Sequence, residues 1–63
     1  NMGKVEKQII SVLENSRKSL SLVEIADQIE KPPKTVFKSL RKLFDKGKID
    51  CDIKNRKYTL AKE

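Results

Sequence analysis

The sequence predicts a small α+β domain, with three helices followed by a C-terminal β-hairpin and a short strand between the first two helices. Apolar residues recur with a period near 3.6 as far as Lys46, as they do on half-buried helices. After Gly47 the period changes to 2, the signature of strands. The chain has only 63 residues, which is one domain's worth. A chain of that size buries roughly 60% of the surface its unfolded form exposes, so every apolar stripe must serve a single core.

The first helix is expected over residues 3–16. Val5, Ile9, Val12 and Leu13 fall at i, i+4, i+7 and i+8, and Ile10 widens the stripe. Arg17, Lys18 and Ser19 break it. Ser19-Leu20-Ser21 is too short for a full strand but can pair as a bridge in a small sheet. Ser21-Leu22-Val23-Glu24 then fits the S-x-x-E capping box, and Leu22, Ile25, Ala26 and Ile29 form one face of a second helix. That helix should stop near Glu30, because Pro32 disfavours helical geometry at Lys31. Pro32-Pro33 makes a corner, and proline is tolerated at a first helical position.

A third helix follows from about Pro33 to Lys46, with Gly47 as its left-handed cap. Val36, Leu40 and Leu43 lie on one side; Lys34, Lys38, Arg41, Lys42 and Asp45 on the other; Thr35 and Ser39 on a flank. Phe37 and Phe44 fall together at the border of the apolar face. Beyond Gly47, Ile49, Cys51 and Ile53 alternate with Lys48, Asp50 and Asp52. Lys54-Asn55-Arg56-Lys57 forms a basic tip, and Tyr58 and Leu60 alternate on the return strand. The whole chain reads as one domain. Asn1 and Met2 read as a tag remnant or disordered end, and the chain as a trimmed form or a piece of a larger parent protein.

Composition narrows function. There are 15 basic residues, 9 acidic residues, no histidine and one cysteine. A disulfide framework, a zinc site of Cys and His ligands, and any nucleophile relying on histidine as base are therefore not expected. No apolar run is long enough to cross a membrane. Neither an enzyme nor a cofactor site is expected, and an intracellular location, cytoplasmic or nuclear, is. The first thirty residues carry four basic and five acidic side chains, and the rest carry eleven and four. A net of −1 thus faces a net of +7. Charge collected on particular elements points to a polyanion, with nucleic acid ahead of an anionic membrane. The alternative is solubility, since small domains often carry a few units of net charge.

Helix, short strand, helix, tight corner, helix and hairpin resembles the winged helix-turn-helix DNA-binding family over nearly the whole chain. Ser21-Leu22-Val23-Glu24-Ile25-Ala26 looks like the family's opening of its second helix. Thr35 to Leu43, followed by Asp45-Lys46-Gly47-Lys48-Ile49, looks like its recognition helix running into the wing. The resemblance implies a role in transcription regulation, replication or plasmid partition, with duplex DNA as the favoured partner, binding singly or as a homodimer. Some relatives bind only protein. A weaker resemblance is to the Zα domains, which bind left-handed nucleic acid. Lys34 and Lys38 sit where those domains place basic residues and Tyr58 aligns with their wing tryptophan, whereas Phe37 and Arg41 stand where Zα domains have asparagine and tyrosine, and the wing prolines are missing.

On this basis Lys38 and Arg41 are expected to reach base edges, with arginine able to hold guanine O6 and N7 by both prongs. Lys34 and Lys42 add positive charge, and Thr35 can touch a thymine methyl or a phosphate. Lys54, Asn55, Arg56 and Lys57 are expected to straddle the backbone or enter a minor groove, with Asn55 supplying the permissive turn conformation. Ser21 and the free amides behind it offer a phosphate site, although capping explains Ser21 equally well. Phe44 reads as core. Phe37 stays open between core, base contact and a protein interface. Tyr58 is expected to pack beneath the hairpin, and Cys51 to be a small buried hydrophobe. The competing function is a protein-interaction domain docking through Phe37 and Phe44.

Overall fold

The apolar stripes converge on one core. In the computed structural model, which describes residues 2–62, α1 (Lys4–Asn15) contributes Ile9 and Leu13, and α2 (Leu22–Ile29) contributes Ile25 and Ala26. Val36, Leu40 and Leu43 come from α3 (Pro33–Asp45), Leu20 from β1 (Leu20–Ser21) and Ile49 from β2 (Ile49–Asp52). The last strand, β3 (Lys57–Leu60), lies in the middle of a three-stranded antiparallel sheet of order β1-β3-β2. Leu20 pairs with Tyr58 on one side of β3, and Cys51 pairs with Tyr58 on the other. The two-residue β1 is thus a full edge partner that ties the hairpin to the start of α2. Met2, expected as part of a tag remnant or disordered end, is half-buried and packs against the core. Asn1, the other half of that expectation, lies outside the described residues.

The helix ends follow from local chemistry. The Ser21 hydroxyl accepts from the Glu24 N–H at 3.2 Å, and the Glu24 carboxylate accepts from the Ser21 N–H at 2.9 Å, which completes the capping box. α2 ends one step before the proline effect is needed. Glu30 turns left-handed (φ 56°, ψ 47°), and the Lys31 N–H bonds back to the Ala26 carbonyl at 3.1 Å. α3 ends in the same manner. Gly47 takes φ 73°, and the Lys48 N–H reaches the Leu43 carbonyl at 2.9 Å.

The hairpin departs from strict alternation at its tip. Ile53 was expected on the inward face, but β2 ends at Asp52 and Ile53 is 85% exposed. The cause is Asp52. Its carboxylate accepts from the Lys54 N–H at 3.1 Å, the Asn55 N–H at 3.3 Å and the Asn55 side-chain amide at 2.8 Å. That Asx-type cap starts the turn one residue early. The left-handed residue of the turn is Arg56 (φ 56°), in place of the expected Asn55, whose side chain is spent on Asp52. Lys57 belongs to β3, where it pairs with Ser21 and Asp52, so the free tip is Ile53 to Arg56.

Candidate functional site

The outer face of α3 and the hairpin meet along one open recess. Phe37, Arg41 and Phe44 border it from α3; Cys51, Ile53 and Tyr58 border it from the hairpin. A contiguous hollow, bounded by Leu22, Phe37 and Tyr58, reaches Arg56 at the hairpin tip. Arg41 lines the recess and Arg56 the adjoining hollow, and the two share Phe37, Cys51, Ile53 and Tyr58. At about 100° per residue, Lys34 lies beside Arg41 and Lys38 points directly outward. Lys34, Thr35, Lys38, Arg41 and Lys42 are all exposed.

Not every expected residue joins this surface. Lys42 and Lys46 fall on the flank of α3 that faces α1, where the Lys46 ammonium meets Glu6 at 3.1 Å and Lys42 adds to the positive potential on the same carboxylate. Ser21 and Glu24 satisfy each other's amides, and Lys57 and Lys18 lie near Glu24. The start of α2 thus already holds a carboxylate where a phosphate was expected. Lys54 and Asn55 are exposed at the tip, with their amides turned toward Asp52.

The aromatic residues are the largest departure from expectation. Phe44, read as core, is 52% exposed, and Phe37 is 49% exposed. Leu40 and Leu43 of α3 belong to the buried core, and neither ring does. Cys51 is only half-buried, since its face of the hairpin opens onto the recess. Burial raises the Tyr58 phenol above its usual range, and the neighbouring Cys51 adds to the effect, so the phenol stays protonated as a donor.

Two features were missed in the sequence. Ile53 is an exposed apolar side chain at the mouth of the recess, and Glu6 is a buried carboxylate in an apolar stripe. Glu6 accepts from the Gly3 N–H at 2.8 Å and pairs with Lys46. The S-x-x-E logic found at Ser21 could have signalled the same backward reach from Glu6 to residue 3, had glycine been admitted as a cap. Comparison with protein-family models, curated proteins and solved structures finds no match for the chain.

Proposed function

We propose that the chain is a winged helix-turn-helix domain that binds duplex DNA, with α3 in the major groove and the hairpin as a wing over the adjoining backbone. The observation that carries this is that Arg41 on α3 and Arg56 on the hairpin tip line two adjoining hollows that share Phe37, Cys51, Ile53 and Tyr58. A helix that enters a groove must have its neighbouring element positioned to meet phosphate, and a cation on each supplies base contact and register together. The element order and the β1-β3-β2 sheet support the same reading. So does Arg56 itself. Its left-handed φ of 56° is a conformation that glycine takes with less strain, yet an arginine occupies it.

Within this division of labour, Lys34, Lys38 and Arg41 face the groove, and Lys54 and Arg56 face phosphates. Lys42 and Lys57, whose charges also act on Glu6 and Glu24, contribute to the field more than to contacts. The test is titration of the domain into labelled B-form duplex, Z-forming duplex and duplex RNA at two salt concentrations. Neutralising about five phosphates gives a slope of log K against log[salt] of about −4 to −5, so affinity should fall roughly 250- to 1,000-fold between 50 and 200 mM salt. B-form DNA should bind best. A flat salt response, or no binding at the lower concentration, would rule the proposal out.

A further inference from the structure

Duplex DNA accounts for the cations around the recess but leaves its floor unexplained. The chain has two phenylalanines, one tyrosine and no tryptophan, and all three rings line this one open hollow of about 350 Å³. Phe37, Phe44 and Ile53 are 49%, 52% and 85% exposed. A small domain with a limited apolar inventory gains nothing in stability from the half of each ring left in water. The major groove answers them only with thymine methyls. Exposed aromatics with an arginine beside them, Arg41 here and Arg56 in the adjoining hollow, are instead the composition of a protein-docking hot spot.

We propose that the recess between α3 and the hairpin docks an acidic amphipathic helix of a partner protein. The partner's apolar side chains pack on Phe37, Phe44 and Ile53, and its carboxylates meet Arg41 and Arg56. Charge complementarity fixes the occupant. The recess and its adjoining hollow are lined by Arg41 and Arg56 against Asp45, the one carboxylate among the described residues that border them, and the half of the chain that builds the recess has eleven basic and four acidic side chains. A second copy of this chain would bring +6 against +6 and set arginine against arginine. Spacing fixes the form. Phe37 and Phe44 are seven residues apart on a helix, about 10 Å along its axis, which matches side chains at i and i+7 of a docking helix. Because the docked helix covers Arg41 and Arg56, it excludes DNA; this last step rests on the DNA reading above.

The probes are four peptides of about 16 residues, long enough to turn helical. They carry Leu or Phe at i, i+3 and i+7 or at i, i+4 and i+7 in a Glu/Ala background. Matched controls place Ala at the apolar positions or Lys at every Glu. Binding is read by fluorescence anisotropy and by amide shift mapping on the whole chain, beside a labelled DNA duplex and a single-stranded oligonucleotide. At least one acidic apolar peptide should bind, moving amides of α3 and the hairpin, and both controls should bind at least about tenfold more weakly, as expected for loss of an anchor. Phe44→Ala and Ile53→Ser should each weaken the peptide by a similar factor while duplex affinity holds. The two are independent in fold, since Ile53 sits in an exposed turn. Unlabelled duplex should displace the peptide.

No binding by any of the four peptides overturns the proposal while leaving duplex binding intact. Equal binding by the Ala-substituted control overturns it in favour of bare electrostatics. Single-stranded DNA binding lost in Phe44→Ala without peptide binding overturns it in favour of base stacking, and self-association lost in Phe44→Ala overturns it in favour of a dimer. Peptide binding without duplex binding supports the docking site and removes the DNA reading, so the two proposals fail separately.

Discussion

Glu6 joins the first helix to the end of the third. Glu6 is 6% exposed, and its carboxylate holds both the Gly3 N–H and the Lys46 ammonium, which together keep it below the usual carboxylate range. Glu24, held chiefly by the Ser21 amide, and Asp52, held chiefly by Asn55, are lowered as well. A depressed folded pKa stabilises the fold above the unfolded value and loses that contribution as pH falls through the folded value. Stability should therefore hold at neutral pH and decline below about pH 4. Urea midpoints at pH 7 and pH 3 measure it, and Glu6→Gln should flatten the decline. Ser21→Ala removes a cap and should cost about 1 kcal/mol, roughly 4–8 °C in melting temperature for a domain of this size, with Ser21→Asp recovering most of it. The cap was plain from S-x-x-E spacing. The Glu6–Lys46 pair was not, because forty positions separate its partners and only the packing of α1 on α3 brings them together.

The third helix and the hairpin carry the proposed chemistry, and both were legible as elements because their periods differ so sharply. Val36, Leu40 and Leu43 are buried as the stripe required. What the period could not place were side chains at its border. Phe37 and Phe44 sit where a rotation of a few tens of degrees separates core from solvent, and hydrophobicity alone assigned Phe44 inward. The hairpin turn hid a similar ambiguity. Asp52 and Asn55 bond to each other, which frees Ile53 into solvent and passes the left-handed position to Arg56. A strained position held by a functional side chain makes a direct prediction. Arg56→Gly should match or exceed the parent stability, by up to about 1 kcal/mol, while weakening DNA binding. Gly47→Ala should do the reverse. Among the described residues no atom beyond its chain neighbours lies within 4 Å of the added Cβ, but φ of 73° makes it strained, for a loss of about 1 kcal/mol with DNA affinity retained. Thermal melts beside anisotropy titrations separate the two effects.

Taken whole, the molecule divides its charge as it divides its structure. The half that builds α1 and α2 is nearly neutral, and the half that builds α3 and the hairpin carries the surplus. No helix among the described residues is long and apolar enough to cross a membrane. The charge division was visible in the sequence; the shared recess was not, because it depends on Tyr58 and Cys51 being cross-strand partners facing α3. Duplex recognition through α3, with the hairpin on phosphates, requires that the two arginines fail differently. The measurement is the affinity of Arg41→Ala and Arg56→Ala for a selected duplex and for its scrambled counterpart across a salt series, with melts confirming intact folding. Arg41→Ala should weaken the selected site more than the scrambled one by about 1–3 kcal/mol. Arg56→Ala should weaken both alike and reduce the salt slope by about one unit. If Arg41→Ala leaves both affinities unchanged in a folded domain, α3 is not the reader, and the duplex-binding account is contradicted.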